Sequence, residues 1–243
     1  MKMDSKPSYE SGNVPRKYYR NTRLAWDQRR RHRAILGLLS EVEGRVLDYG
    51  CGYGDITFQM SRTHPVEGVD VDTDRIAFAS REYAPVQFRV CPTGNLDYPD
   101  QAFDIVTSVV VIHFTPDPVK YLRECFRVLR DGGHLIIACR NEEIVRNSLR
   151  SWMGKQKLTR PLWIPSRDEF FELLRKEGFS VRRKTFFYEP PSLEWKNPGD
   201  IVIGMLEQVL SIARIERTCS YYAVLARKNM LQEEGRVDES IGR

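Results

Sequence analysis

The sequence predicts an α/β domain with a mostly parallel sheet and helices on both of its faces. Short apolar segments alternate with segments of helical periodicity, an order typical of parallel strands joined by right-handed helical crossovers. A glycine-rich turn follows the first apolar segment, where sheets of this kind often bind ligands. The predicted strands are residues 45–49, 66–70, 86–90, 103–109 and 133–139, and the predicted helices are residues 54–63, 73–81 and 116–130.

The composition narrows the class of protein. A chain of 243 residues is long enough for one domain with its own core. It has no run of about 18 apolar residues and no apolar signal region after its charged start, so we expect a cytoplasmic protein without a transmembrane segment. The five cysteines lie outside any metal-ligand spacing, and we interpret them as reduced thiols. The net charge of +5 is too small by itself to indicate nucleic-acid binding.

The first predicted strand runs directly into the glycine-rich turn. Gly50, Gly52 and Gly54 stand at every second position of this turn. Glycine lets the backbone adopt positive φ and lets a ligand approach it closely. The helical pattern that begins at Asp55 would point free N–H groups at the same place. The stretch therefore predicts a site for a ligand that carries oxygens or a carboxylate.

The acidic residues around the turn indicate which ligand it binds. A dinucleotide site would carry a third glycine where this chain has Asp55, whose charge disfavours phosphate. Asp48, at the end of the first strand, would attract an amino group and repel phosphate. Asp70 ends the second strand, where an acid accepts hydrogen bonds from ribose hydroxyls. A ligand with an amine and a ribose but no pyrophosphate is indicated, and S-adenosylmethionine fits this description better than a dinucleotide does.

With these motifs, the chain resembles the class I S-adenosylmethionine-dependent methyltransferases over about residues 40–190. Residues 96–106 look like the family's stretch before its fourth strand, and residues 121–133 look like its helix and turn before the fifth. The resemblance implies a Rossmann-like sheet of seven strands with the last one antiparallel. Residues 179–188 and 219–228 would form the final two strands. It also implies S-adenosylmethionine as the cofactor, S-adenosylhomocysteine as the product, and in-line methyl transfer.

The resemblance assigns cofactor contacts to particular positions. Asp48 would help to hold the amino acid part, Asp70 would bind the ribose, and Val71 would pack on the adenine. Pro92 stands where the family commonly has an acid for the adenine amino group, so neighbouring residues are expected to replace that acid. The complete predicted cofactor-binding set is Asp48, Tyr49, Gly50, Cys51, Gly52, Gly54, Asp70, Val71, Thr93, Gly94 and Val110.

The segment after the fourth strand carries the candidate catalytic base. His113 is its one side chain able to move a proton near neutral pH, and it would serve a hydroxyl or protonated amine acceptor. The alternative is an inert histidine packed at a strand end. By comparison with relatives, the lack of an Asn/Asp-Pro-Pro-aromatic motif here disfavours methylation of an adenine or glutamine amino group. Val110, His113 and Phe114 stand where metal-dependent quinone O-methyltransferases carry Glu, Glu and His, so we expect no metal.

The domain is expected to span residues 16–228, between a disordered tail at 1–15 and a flexible tail at 229–243. Residues 16–40 are basic and aromatic. They would form a lid that brings Tyr18 and Tyr19 to the catalytic site. The alternatives are a solvated helix packed on the domain and a patch for the phosphates of lipid or nucleic acid.

Two later segments would also border the site. An insert at residues 141–165 would cover the substrate or lie on a membrane surface as a peripheral contact. Ser166 and Glu169 predict the capped start of a helix that ends at Gly178. A helix at residues 199–212 is too apolar to bury only one side, and it would pack in the core, meet a greasy ligand or join two subunits.

The predicted function is methyl transfer to the oxygen or nitrogen of a small or amphiphilic metabolite, which could be anionic. The lid, the apolar C-terminal helix and the missing amino-methylation motif favour this acceptor class over nucleic acid. One alternative is an RNA methyltransferase that uses the arginine-rich N-terminal segment. The other is a protein that binds S-adenosylmethionine without turnover.

Overall fold

The computed structural model describes residues 22–92, 95–141, 165–187 and 221–229. Several predictions lie outside these residues. They concern Tyr18 and Tyr19, Thr93 and Gly94, both tails except Asn229, nearly all of the insert at 141–165, and the helix at 199–212.

The described residues form a seven-stranded sheet with the order β3-β2-β1-β4-β5-β7-β6. All pairings among β1 to β5 are parallel, whereas β7 runs antiparallel to both β5 and β6. This arrangement confirms the predicted fold class, including the antiparallel last strand. The strands are β1 (Val46–Tyr49), β2 (Val66–Asp70), β3 (Gln87–Val90), β4 (Phe103–Val109), β5 (Leu129–Arg140), β6 (Phe179–Phe187) and β7 (Tyr221–Lys228).

Local sequence signals explain where several helices begin. Asp72 caps α3 by accepting hydrogen bonds from two backbone N–H groups, and Asp117 caps α4 by accepting one. Ser166 and Glu169 form the predicted capping box of α5. The helices are α1 (Thr22–Leu39), α2 (Asp55–Met60), α3 (Thr73–Glu82), α4 (Pro118–Val128) and α5 (Arg167–Lys176), with a short 3₁₀ turn at Ile112–Phe114.

The centre of the sheet is buried on both faces, as its parallel strands require. All four residues of β1 are buried, and successive residues face different halves of the core. Leu47 belongs to the half that contains residues of α4 and α5, whereas Val46 packs in the half covered by α1. Ile35 and Leu39 of α1 are almost completely buried there. The second half of α1 is therefore a core helix, which agrees with the packed-helix alternative for this part of residues 16–40.

Strand order reverses between β2 and β4, the two neighbours of β1. Ligands of open α/β sheets bind outside the carboxyl ends of the strands at such a switch point. The glycine-rich turn leaves β1 at this place, so the fold brings this turn to the edge where a ligand is expected.

Candidate functional site

The turn after β1 is held in place by the neighbouring strand. The N–H groups of Gly50 and Cys51 both donate to the carbonyl oxygen of Val69, at 2.7 and 3.0 Å. Gly50, Gly52 and Gly54 have φ values of 85°, 56° and 83°, in the left-handed region that glycine adopts most easily. The glycine at every second position thus builds a tight loop that β2 anchors.

The three glycines differ in what surrounds them. A Cβ on Gly50 would lie 2.3 Å from the side chain of Val111, and a Cβ on Gly54 would lie 2.8 Å from the ring of Phe88. Packing within the protein therefore excludes a side chain at both positions. A Cβ on Gly52 would meet nothing within 4 Å. Gly52 faces open space, and this space is a cradle where a ligand can lie against the backbone.

Asp70 borders this cradle directly. Its Oδ2 accepts a hydrogen bond from the N–H of Gly52 at 2.8 Å, and its Oδ1 accepts one from the N–H of Asp72 at 2.9 Å. The residue is 8% exposed. Because each carboxylate oxygen can accept two hydrogen bonds, both retain a lone pair for further donors. This position suits the predicted interaction with ribose hydroxyls.

Asp48 lies beneath the turn, where a ligand cannot touch its carboxylate. It is 1% exposed, and its two oxygens accept hydrogen bonds from the hydroxyls of Thr57 and Thr107 at 2.6 and 2.9 Å. Burial raises the pKa of Asp48 from 3.8 to about 6, although both threonine hydroxyls act in the opposite direction. Any influence on a bound amino group therefore acts through its charge rather than by direct contact.

Sequence reasoning missed the two threonines that hold Asp48. Thr57 lies in the second half of the first turn of α2, and Thr107 lies opposite Asp48 in the parallel pairing of β1 with β4. Only the register of the sheet brings Thr107 to Asp48, so no local motif could have identified it.

The side chains of Tyr49 and Cys51, two residues of the predicted cofactor set, do not reach the open edge. Tyr49 is 4% exposed and stacks on the ring of Tyr121, with 4.3 Å between ring centroids. The Tyr121 hydroxyl donates to the carbonyl oxygen of Tyr49 at 3.1 Å. Cys51 is buried against Gly68 of β2. Both side chains point into the protein, so only their backbone can contribute to a ligand site.

An apolar rim surrounds the same edge. Val71, Val90 and Phe114 are the exposed large hydrophobic side chains of the described residues, at 58%, 39% and 48% exposure. They lie after β2, at the end of β3 and after β4, all at the carboxyl edge of the sheet. Exposed apolar side chains that share one edge indicate a surface for a ligand or partner. Val71 was predicted to pack on adenine, and Val90 is an added candidate beside it.

Val110 has an unusual backbone conformation where β4 leaves the sheet. Its φ of 62° is rare for a β-branched residue and costs on the order of 1–3 kcal/mol. Its N–H donates to the carbonyl oxygen of Ala138 at 3.1 Å, which ties the strained residue to β5. The adjacent Val111 packs against Gly50. Strained residues cluster at functional sites, and this one adjoins the glycine turn.

His113 is poorly suited to be the predicted general base. It is completely buried, and its Nε2 accepts a hydrogen bond from the backbone N–H of Arg140 at 2.6 Å. Burial, together with the charges of Arg140 and Arg31, lowers the pKa of His113 to about 3. In the neutral ring the hydrogen must then lie on Nδ1, which is buried and has no hydrogen-bond partner among the described residues. The Nε2 lone pair, which a general base would use to take up a proton, already accepts the hydrogen bond from Arg140.

The described residues contain neither a metal-binding cluster nor a helix that could span a membrane. No group of three or more His, Cys, Asp or Glu side chains in the described ranges could hold a metal ion. No helix in that part of the chain is both long and apolar enough to cross a membrane.

Comparison with known proteins identifies the class of protein that this fold and site define. A family described as a methyltransferase domain matches residues 47–137, which run from β1 into β5. A protein of Mycolicibacterium smegmatis, named as a probable S-adenosylmethionine-dependent methyltransferase, is 33% identical over 192 residues, which are 76% of this chain and 72% of that protein. The chain belongs to the family of S-adenosylmethionine-dependent methyltransferases.

Two other proteins are similar over much of their length. A ubiquinone biosynthesis O-methyltransferase of Roseobacter denitrificans is 28% identical over 171 residues, which are 64% of this chain and 68% of that one. A Thermotoga maritima S-adenosylmethionine-dependent methyltransferase, described as a possible histamine N-methyltransferase, has the same fold, with a TM-score of 0.61. That likeness covers 89% of this chain and 98% of the other at 21% identity.

Proposed function

We propose that the enzyme transfers a methyl group from S-adenosylmethionine to the oxygen or nitrogen of a small or amphiphilic metabolite. The observation that carries this proposal is the open cradle at Gly52, with the Asp70 carboxylate beside it and exposed apolar side chains around it. The ribose hydroxyls of the donor match the Asp70 carboxylate, and its uncharged, apolar adenine face matches the exposed apolar side chains.

The chain offers a place for each part of the donor. The backbone at Gly52 would lie against the amino acid part, and the remaining lone pairs of Asp70 would accept the ribose hydroxyls. Val71 and Val90 would pack on the adenine. The buried Asp48 would favour the positive end of the donor through its charge when ionised. When bound, the donor supplies a methyl group on a sulfonium, which is already a good leaving group.

The remaining task of the protein is to align the acceptor. Fixing two reactants in line can supply a large part of the rate increase without any side chain that exchanges protons. This fits a site in which His113 is neutral and already hydrogen-bonded. The exposed Phe114 provides apolar surface for an acceptor just after β4. The relative named for ubiquinone biosynthesis supports an amphiphilic acceptor and transfer to oxygen.

Calorimetry on the purified protein tests the donor site. We expect S-adenosylmethionine and S-adenosylhomocysteine to bind and NAD not to bind. A protein that binds NAD and neither of the other two would contradict the proposal.

Formation of S-adenosylhomocysteine from a small-molecule extract then tests turnover. Formation from total RNA instead, at a rate that falls steeply with added salt, would favour the RNA alternative. Donor binding without product from either source would favour a binding protein without turnover.

A further inference from the structure

Two arginines meet at the carboxyl end of β5, on the far side of β4 from the glycine turn. The guanidinium of Arg31, on α1, lies over the ring of Tyr221 at 5.2 Å from its centroid. The guanidinium of Arg140, the last residue of β5, lies over the same ring at 5.7 Å. Tyr221 begins β7 and is the register partner of Arg140 in the sheet. Three separate elements thus place two positive charges close to one tyrosine ring at the ligand-binding edge.

The effect of these charges is visible at His113. Its Nε2 accepts a hydrogen bond from the backbone N–H of Arg140, so the histidine contacts the backbone of the residue that carries the guanidinium. Arg140 and Arg31 are the two charged groups that help burial to lower the pKa of His113. Both guanidiniums therefore act on groups at this end of the site as positive charges. A ligand that comes to rest there is favoured when it is an anion.

Neither His113 nor Tyr121, two titratable side chains described at this end of the site, is suited to act as a general base near neutral pH. His113 has its Nε2 lone pair occupied. The hydroxyl of Tyr121 is buried and hydrogen-bonded to Ser108, and burial raises its pKa well above the usual value. An acceptor that arrives protonated would find no base among these groups, whereas an acceptor that is already an anion needs none.

We propose that the methyl acceptor is an amphiphilic carboxylate, which Arg140 and Arg31 hold as the free anion while its apolar body lies against Phe114. This proposal rests on the proposed function and names the acceptor class of that same site. A guanidinium is the side-chain group that best matches the geometry of a carboxylate. Phe114 follows His113 directly and is 48% exposed, so it offers apolar surface close to the charged end.

The chemistry balances without a base. A lone pair on a carboxylate oxygen forms the new bond to the methyl carbon, and the bond between that carbon and sulfur breaks. The electron pair of the broken bond stays on sulfur, which loses its positive charge. The carboxylate loses its negative charge and becomes a methyl ester. No proton is taken or released, so the reaction needs no further reactant.

His113 is then a positioning residue for Arg140. Its hydrogen bond joins the 3₁₀ turn after β4 to the end of β5, and so fixes the backbone that carries the guanidinium. His113→Gln keeps an acceptor oxygen on a side chain of similar reach, whereas His113→Leu removes the acceptor. We expect the glutamine variant to restore most of the carboxylate affinity that the leucine variant loses.

The first experiment uses dodecanoate, dodecan-1-ol and 12-hydroxydodecanoate with a donor that is radiolabelled in the methyl group. We also include benzoate with benzyl alcohol, and a deproteinised metabolite extract. A methyl ester releases labelled methanol in alkali, whereas a methyl ether or methylamine does not. We expect alkali-labile label from the carboxylates or the extract, and none from the alcohols. Alkali-stable label on 12-hydroxydodecanoate would mean that the carboxylate only anchors the molecule, which overturns the proposal.

The second experiment measures binding separately from turnover. Calorimetry compares dodecanoate affinity, with S-adenosylhomocysteine present, for the wild type and for Arg140→Gln and Arg31→Gln. Loss of one charged hydrogen-bond donor should weaken binding by about 10-fold or more, and Arg140→Lys should lose less. Arg182→Gln removes the same charge from an exposed position on β6 and serves as the control, with unchanged affinity expected.

The outcomes separate this proposal from the proposed function. Methyl transfer that yields only alkali-stable products, with Arg140→Gln as active as the wild type, overturns the carboxylate proposal and leaves the methyltransferase site intact. Absence of alkali-labile product from every carboxylate and from the extract also overturns it. Failure to bind S-adenosylmethionine overturns the proposed function itself.

Discussion

Asp70→Asn tests the donor site most directly, because the substitution keeps the size of the side chain and removes its charge. In the wild type both carboxylate oxygens accept a backbone N–H, from Gly52 and Asp72. An asparagine retains one acceptor oxygen, and its amide group brings a donor to the other N–H. One hydrogen bond to the loop is therefore lost, and the ribose loses a charged acceptor.

The expected size of each effect follows from these contacts. Leaving one partly buried backbone N–H without an acceptor should lower the free energy of unfolding by about 1–3 kcal/mol. Loss of one hydrogen bond to a charged group should weaken donor binding by about 1.5–3 kcal/mol, or about 10- to 150-fold in Kd. Calorimetric titration with S-adenosylmethionine and S-adenosylhomocysteine measures the second effect, and urea unfolding measures the first.

Asp72→Asn is the matched control. Asp72 lies two residues further along, and its carboxylate caps α3 and pairs with Arg75. Asparagine is also a good N-cap, so stability should change by less than about 1 kcal/mol and donor affinity should be nearly unchanged. An Asp70→Asn protein with wild-type Kd, or an Asp72→Asn protein that loses equal affinity, would refute our assignment of the ribose site.

Three further predictions concern the residues around the turn and the acceptor. Gly52→Ala should lower the free energy of unfolding by about 1–2 kcal/mol because of the positive φ at this position, and it should weaken donor binding because the new methyl group enters the cradle. Gly50→Ala should lower the free energy of unfolding by about 2–5 kcal/mol, because its Cβ also clashes with the side chain of Val111. Equal stability of these two variants in urea would contradict the difference. The pKa of Asp48 is raised from 3.8 to about 6 in the folded protein, so the unfolded chain releases this proton at lower pH than the folded protein does. The free energy of unfolding should therefore fall by up to about 3 kcal/mol as the pH rises from 4 to 6. Asp48→Asn should abolish this pH dependence in unfolding measurements, and it should bind S-adenosylmethionine more weakly than the wild type at pH 7. The pKa of His113 is lowered to about 3, so this residue should not titrate between pH 5 and 8, and His113→Gln should leave the shape of the pH–rate profile unchanged in that range. A change of rate with pH near 6–7 that the wild type shows and this variant lacks would mean that His113 is a general base.

The features that the sequence predicted well are those that neighbouring residues determine. The order of strands and helices follows from local periodicity, and the capping box at Ser166 and Glu169 needs only residues three apart. The glycine-rich turn and Asp70 are also recognisable locally. The turn follows directly after one strand and Asp70 is the last residue of the next, and the apolar residues of each strand predict that strand. Parallel strands then bring their carboxyl ends to one edge, so the sequence could predict that these residues meet.

The features that only the tertiary structure decided join residues far apart in the chain. The register of β1 with β4 brings Thr107 to Asp48, 59 residues away. Asp48, which was predicted to help hold the amino acid part of the donor, is thereby a buried acid with a raised pKa. His113 was a candidate base in the sequence, but Arg140, 27 residues later, occupies its Nε2. Packing in the folded core decided which of the predicted residues face the open edge, because it turns the side chains of Tyr49 and Cys51 inward. A sequence shows which residue types are present, but hydrogen-bond partners and burial, which set the charge on Asp48 and His113, depend on contacts that exist only after folding.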